Sequence, residues 1–503
     1  MTISRRDFLA SSLTGSGLLA AIHLGAAAAE NAKKERPKSP FLMDNYGPID
    51  KEISASNLKV IGKLPPDMDG MFVRNGPNPQ FPPILNYHWF EGDGMIHGVR
   101  IRDGKASYLN RWVRTEAWKD ENKAGKALYS SILDPPDLDS FAKHMLAGRL
   151  PFPNKANTAL VLHHGKLMAL WEGGAPHEIK MPGLETIGPY TFGGKLKHAF
   201  TAHPKIDPKN GELIFFGYWP VAPYLQHSVA DAEGKIISTT AIELPRSVMM
   251  HDFAITENYS VLLDMPATLS VNRMLRGKSL FQWEPNLGSR IGILPRHLKG
   301  DNTKWFEVEA GFVFHVFNAY EEGDTVHLLA CRYPGFPKFV DLSTDLTKKN
   351  GKPKAPPAPH PIVYRWSCNM KTGKVTEGPV DDVNAEFPRV NENLTGSKTR
   401  FGYAMSGDSR SSDFLKYDFA KGTSERLELG KGVLGGEGVF VPRQGGKTED
   451  DGYLVSFVHD YSNERSEMVV LDCREFTGRP LARVILPQRV PYGFHGLWVS
   501  DVG

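Results

Sequence analysis

His203-Pro-Lys-Ile-Asp-Pro-Lys-Asn-Gly211 runs directly into Glu212-Leu-Ile-Phe-Phe-Gly-Tyr-Trp219: a histidine, a turn-forming stretch, then an apolar strand. The pattern returns in His251-Asp-Phe-Ala-Ile-Thr-Glu-Asn258, followed by Tyr259-Ser-Val-Leu-Leu-Asp-Met265. It returns again in His315-Val-Phe-Asn-Ala-Tyr-Glu-Glu-Gly-Asp324, followed by Thr325-Val-His-Leu-Leu-Ala-Cys331. A fourth histidine, His495, lies in Pro491-Tyr-Gly-Phe-His-Gly-Leu-Trp498, close to the C-terminus. In a radially repeated β fold, equivalent positions in different blades face one axis. Imidazoles arriving there from separate blades would make a metal site, and imidazole suits iron, copper, nickel or zinc. The chain has 17 histidines, so four in turns is unremarkable alone; the repeated spacing is what singles these out.

The rest of the composition agrees with a strand-rich fold. The chain has 503 residues, enough for one large core or several domains. Gly 49 and Pro 37 favour many turns and hence many short strands. A net charge of +3 without any Lys/Arg block gives nucleic-acid binding little support. Cys331, Cys368 and Cys473 are too few and too widely spaced for a disulfide framework or a cysteine-based zinc site, and read as small buried hydrophobes.

At the N-terminus, Ser4-Arg5-Arg6-Asp7-Phe8-Leu9 matches the twin-arginine export pattern. A weakly apolar stretch follows from Leu9 to Ala29, ending in Ala27-Ala28-Ala29, small residues suited to cleavage before Glu30. Ser, Thr, Gly and His23 within it favour a removed signal over a permanent membrane span. The expectation is a signal over 1–29, export to the periplasm, and one domain over 30–503. Such export carries folded proteins, which fits a metal loaded beforehand.

Residues 30–56 read as a polar arm. Strands are expected at Gly70–Arg74, His97–Arg102, Thr158–His163, Lys166–Trp171, Leu213–Tyr218, Ser260–Asp264, Thr325–Cys331, His360–Ser367, Gly452–Val458 and Met468–Asp472. Turn dipeptides such as Asn210-Gly211 and Glu322-Gly323 separate them. Composition alone leaves barrel, sandwich and propeller open; the repeated unit favours a propeller. A short amphipathic helix is expected over Asp137–Gly148, with Phe141, Met145 and Leu146 on one face. Thr268–Gly292, with Met274, Leu275, Leu280, Phe281 and Trp283, reads as a dome packed across the scaffold or as an apolar rim able to touch a membrane peripherally. Lys338–Pro359 reads as an exposed loop.

Gly70-Met-Phe-Val-Arg-Asn-Gly-Pro-Asn-Pro79, Trp89-Phe-Glu-Gly-Asp-Gly-Met-Ile-His-Gly98 and Gly493-Phe-His-Gly496 resemble the carotenoid cleavage oxygenase family. That family includes the retinal-pigment-epithelium isomerase and stilbene-cleaving enzymes, and the chain resembles a bacterial member. The motifs keep the family order along the chain. The resemblance implies an all-β, seven-bladed propeller with a dome of loops and short helices over an axial non-haem Fe(2+), one per subunit. It carries the four ligands over to His203, His251, His315 and His495. It also carries over three glutamates that hold ligand histidines: Glu172 in Leu170-Trp-Glu-Gly-Gly for His251, Glu386 in Ala385-Glu-Phe-Pro-Arg for His315, and Glu437 in Gly436-Glu-Gly-Val for His495. His203 is left without a carboxylate. His88, His97, Arg74, Asn75 and Asp93 read as structural, and His163, His164, His177 and His327 as uninvolved.

Four neutral imidazoles leave up to two octahedral positions for dioxygen or water, and iron, unlike zinc, can change oxidation state there. The implied activity is O₂-dependent cleavage of a conjugated carbon–carbon double bond of a carotenoid or apocarotenoid, with no side-chain acid or base beyond the metal centre. A stilbene cleaver is the nearest alternative; it needs polar groups to grip a phenol, for which Tyr87 and Lys119 are candidates. A non-redox isomerase or a lipid-binding propeller is the remaining one. The expected partners are a lipophilic or phenolic small molecule and O₂. Nothing in the pattern specifies an oligomeric state.

Overall fold

The computed structural model describes residues 39–132, 152–276, 278–337, 360–407 and 412–500. The expected signal segment, the helix expected over Asp137–Gly148 and the loop expected over Lys338–Pro359 lie outside these residues.

Seven antiparallel sheets succeed one another along the chain and close into a ring. Blade one is built on Gly70–Pro77, Gly94–Arg102 and Lys105–Trp112, and blade two runs from Ala159–His163 to Glu185–Pro189. Blade three runs from Lys205–Ile206 to Ile236–Ile242, and blade four from Ala254–Ile255 to Lys304–Val308. Blade five runs from Phe312–Glu322 to Val375–Asn384, and blade six from Glu386–Arg389 to Thr423–Glu428. Blade seven carries Val433–Gly435, Val439–Pro442, Gly452–Asp460, Arg465–Asp472 and Ala482–Ile485. The chain is therefore the seven-bladed propeller that the resemblance implies.

Burial explains the sequence texture of the strands. Strands covered on both faces carry apolar runs: Gly70–Pro77 and Gly452–Asp460 are buried at every residue and hold Met71-Phe-Val73 and Tyr453-Leu-Val455. Outer strands such as Ile236–Ile242 are largely exposed, and their polar residues face water. Adjacent blades share apolar side chains across their faces, as where Phe72 of blade one meets Phe457 of blade seven at 4.8 Å between ring centroids.

Both ends of the chain latch the ring. Gly496–Ser500 pairs with Gly70–Arg74 as the inner strand of blade one, with Gly496 opposite Arg74 and Ser500 opposite Gly70. The N-terminal arm adds Ser54–Ala55 to the outer edge of blade one and Val60–Gly62 to that of blade seven. Closure leaves no open ladder at the seam.

All ten expected strands are present, most with shifted ends; the one expected from His360 begins at Ile362 and runs to Asn369. The stretches read as turns after the histidines are in part inner strands. Lys205–Ile206 follows His203, Ala254–Ile255 follows His251, and His315 lies within Phe312–Glu322 at a register shift between Val313 and Val316. Inner strands converge on a narrow axis and stay short, and Pro204 and Pro208 flank the first, so their sequence looks like a turn.

Among the described residues, two α-helices decorate the ring. α1, Glu116–Ala124, is absent from the sequence expectation, although Thr115 caps it through Trp118 N and Gly125 ends it at φ +65°. α2, Val271–Leu275, sits inside an insertion in blade four with the two-stranded ribbon Ala267–Leu269 and Phe281–Trp283. In that insertion Met274 and Leu280 are buried as packing requires, while Leu275 is 47% exposed.

Candidate metal centre

Every blade sends one side chain toward the axis. His495 comes from the entry to the closing strand of blade one, Glu172 from blade two, and His203, His251 and His315 from blades three, four and five. Glu386 opens the inner strand of blade six, and Glu437 sits between the two short inner strands of blade seven. The four histidines offer ligand nitrogens that all lie within 4.8 Å of one another.

Three of the rings are locked by carboxylates. His251 Nδ1 lies 2.8 Å from Glu172 Oε2, His315 Nδ1 2.6 Å from Glu386 Oε2, and His495 Nδ1 2.9 Å from Glu437 Oε1. An acceptor-only carboxylate on Nδ1 fixes the proton there, which leaves the Nε2 lone pair pointing inward, free for a cation. His203, the ring without a carboxylate, sets its Nε2 3.0 Å from that of His251.

These positions fit a metal. Imidazole–metal bonds of about 2.1 Å at right angles place neighbouring nitrogens about 3.0 Å apart. His315 Nε2 is buried without a hydrogen-bond partner among the described residues, a costly arrangement that a cation would relieve. Burial, the three neighbouring imidazoles and Lys205 hold His203 well below its ordinary range, so it stays neutral and able to donate its lone pair. Burial brings His495 down to about 4 despite Glu437. Burial also presses on His315, yet Glu386 outweighs it and leaves that ring raised.

The carboxylates have outer partners of their own. Tyr218 Oη donates to Glu172 Oε1 at 2.8 Å. Phe387 N donates to Glu386 Oε2 at 2.6 Å. Gly496 N donates to Glu437 Oε2 at 2.8 Å, and the Arg389 guanidinium lies 3.4 Å from the same atom. Burial would raise Glu437, but Arg389, His495 and the Gly496 N–H together bring it to about 2.

A cavity of about 110 Å³ opens beside the imidazoles, walled by Trp89, Phe90, Trp171, Met249, Phe314, Phe387 and Phe494. It shares Phe90, Trp171, Glu172 and Met249 with a second cavity of about 150 Å³, which continues past Phe152, Leu269, Leu280 and Phe281. The insertion in blade four thus supplies part of the lining, a role that its sequence does not disclose. A polar cavity of about 480 Å³ touches His203, His315 and His495 as well as Lys205, Asp252 and Arg389.

Tyr87 lines the second cavity, but Lys119 lies exposed on α1, because its register on that helix faces water while Ala117, Trp118 and Glu121 face inward. The ammonium group in the lining is that of Lys155, 2.7 Å from Asp93. The residues read as structural behave accordingly. His97 Nδ1 meets Tyr108 Oη at 2.8 Å, Asn75 donates to Ala156 O at 2.8 Å, Arg74 donates to Pro491 O, and His88 caps the short helix Trp89–Glu91.

The comparisons agree with this geometry. A family profile described as RPE65, retinal pigment epithelial membrane protein, matches residues 46–500. A carotenoid 9,10(9',10')-cleavage dioxygenase of Phaseolus vulgaris is 39% identical over 492 residues, which span 92% of this chain and 89% of that one. The crystal structure of a lignostilbene dioxygenase of Pseudomonas brassicacearum superposes with a TM-score of 0.83 at 29% identity, covering 93% of this chain and 100% of that one. A cobalt-substituted apocarotenoid oxygenase of Synechocystis superposes at 0.80 and 30% identity, covering 90% and 97%. A propeller whose axis gathers four imidazoles, matched along nearly its whole length by these proteins, belongs to the RPE65 and carotenoid cleavage oxygenase family.

Proposed function

We propose that this chain is an O₂-dependent dioxygenase that cleaves a conjugated carbon–carbon double bond of a carotenoid or apocarotenoid, held beside a ferrous ion on His203, His251, His315 and His495. The observation that carries this reading is the four-imidazole cluster opening onto an aromatic cavity. When bound, the ion supplies a centre that can change oxidation state and activate dioxygen. The double bond is broken, and one oxygen atom ends in each of two carbonyl products.

The chain's own contribution is positioning and exclusion of water. Phe90, Trp171, Met249 and Phe494 give the polyene an apolar bed, and the three glutamates keep the imidazoles aimed. Glu172 and Glu386, the carboxylates in this wall, are hydrogen-bonded to His251 and His315 and aim those rings. The test is O₂ consumption with stoichiometric aldehyde formation by iron-loaded protein. Intact apocarotenals and hydroxystilbenes after incubation defeat the proposal, and product formed without O₂ consumption supports an isomerase instead.

One observation favours a stilbene as second reading. The outer cavity places Tyr87 and Lys155 among apolar walls, a pairing able to grip a phenol. Turnover of a long apocarotenal against a hydroxystilbene separates the two. We further propose export through the twin-arginine route and peripheral membrane contact, for which Leu275 and Leu287, 47% and 45% exposed beside the blade-four insertion, are the support. Replacing both leucines by Ser weakens vesicle binding if that contact exists. Among the described residues, no helix is long and apolar enough to cross a membrane.

A further inference from the structure

The three carboxylates behind the imidazoles are not equivalent. Glu172 is backed by the neutral phenol of Tyr218. Glu386 has Tyr333 beside it, whose phenol is held far above its ordinary range by burial and then by that carboxylate, and so stays neutral. Only Glu437 is backed by a cation, Arg389, which is 15% exposed at its side chain and also gives an N–H to Gly496 O at 3.3 Å. Arg389 closes the Glu386-Phe-Pro-Arg389 stretch, whose glutamate is already assigned and whose arginine is not.

Charge follows from this asymmetry. Among the groups in contact with the ligand rings' carboxylates, three negative charges meet one positive charge, leaving two negative charges for an ion to neutralise. Lys205 and Asp252 beside the cluster pair at 2.7 Å and cancel. Glu392, the outer partner of Arg389, is 55% exposed and so better solvated than Glu437, whose side chain is 2% exposed. Arg74, farther along the flank of Glu437, gives an N–H to Pro491 O and keeps its positive charge, which also acts on Glu437. Positive charge on this flank opposes the extra charge of a trivalent ion more than that of a divalent one.

We propose that Arg389 is a positioning residue which, acting through Glu437, biases the bound iron toward the ferrous state; this rests on the ferrous reading above. Without Arg389, one positive charge opposing the ferric ion is lost, and the ferric state gains relative to the ferrous one. A buried unit charge one hydrogen-bonded side chain removed from a ligand imidazole changes the ferric-to-ferrous ratio about tenfold, equivalent to about 59 mV for one electron.

The experiment compares wild type, Arg389→Gln, Glu437→Gln and the double variant, each loaded anaerobically with Fe(II). The ferric/ferrous midpoint is read by a redox titration followed through the paramagnetic resonance of ferric iron. Arg389→Gln should move the ratio about tenfold toward ferric, Glu437→Gln should move it the other way, and the double variant should return to within about threefold of wild type. A merely structural arginine predicts that the double variant is at least as perturbed as either single one, and that result, or an unmoved midpoint in Arg389→Gln, overturns the inference. If Arg389→Gln leaves Glu437 unpaired and fails to fold, comparing Glu437→Gln with the double variant reads the same charge in a site without the orphaned carboxylate. Wild type that binds neither Co(II) nor Fe(II) refutes the ferrous reading itself; wild type that binds both, with midpoints unmoved by the variants, refutes only the role of Arg389.

Discussion

Replacing Glu172 by Gln removes one charge and leaves the shape of the site nearly unchanged. His251 Nδ1 lies 2.8 Å from Glu172 Oε2, and Tyr218 Oη donates to Oε1 at 2.8 Å. In the variant the amide oxygen can still accept from His251, while its NH₂ must turn toward Tyr218, whose hydroxyl has to rotate from donor to acceptor. Both contacts survive as neutral hydrogen bonds. Hydrogen bonds to charged groups contribute about 1.5–3 kcal/mol and neutral ones about 0.5–1.5, so the imidazole loses about 1–1.5 kcal/mol of its orientation and basicity. That corresponds to about a tenfold weaker hold on the metal, at the lower end of the 10–100-fold range for such partners. The assay is anaerobic competition for Co(II) or Fe(II) against a chelator of known affinity. Tyr218→Phe should weaken binding by less, because the carboxylate remains. Binding within about twofold of wild type for Glu172→Gln would refute the idea that this carboxylate sustains the ligand.

Other outcomes follow from the same geometry. Burial first, then Arg296 and His198, depress His227 to about 3, whereas the unfolded chain takes up that proton near 6.5. Its contribution is therefore intact above about pH 6.5 and is lost progressively as pH falls toward 3, reaching about 2 kcal/mol at pH 5; urea midpoints for wild type and His227→Gln at pH 7 and 5 should diverge accordingly. A Cβ on Gly217 would stand 1.9 Å from Ala199 O and 2.6 Å from His198 Nδ1. Gly217→Ala should then cost about 1–3 kcal/mol or more, seen as a lowered melting temperature. Trp366, 1% exposed with its indole N–H on Glu377 at 3.0 Å, should cost about 3–5 kcal/mol when replaced by Ala, read by denaturant unfolding.

Strand positions were legible because blades buried on both faces need apolar runs, as in Leu213–Tyr218 and Gly452–Asp460. His203, His251 and His315 were legible as a set because each precedes an apolar strand by nearly the same distance, and His495 joined them through the resemblance of its motif. The inner strands were not. Lys205–Ile206 has two residues, and no pattern of alternation fits in two. α1 carried its own punctuation, Thr115 at one end and Gly125 at the other, but Glu116–Ala124 is polar enough to read as loop. The cavity was hidden for a different reason. Phe90, Trp171, Met249 and Phe494 come from four distant stretches, and nothing local marks any of them as a wall. Lys119 and Lys155 show the same limit: which ammonium group reaches the cavity depends on helical register and loop path, not on residue type.

The seam between the two ends of the chain ties assembly to chemistry. His495 immediately precedes the strand Gly496–Ser500 that zips against Gly70–Arg74. Synthesis proceeds from the N-terminus, so three imidazoles exist on the nascent polypeptide long before the last can arrive. A product that stops before His495 lacks the fourth ligand and the inner strand of blade one together. A metal held by all four imidazoles would therefore report that synthesis had passed His495 and that the circle had shut.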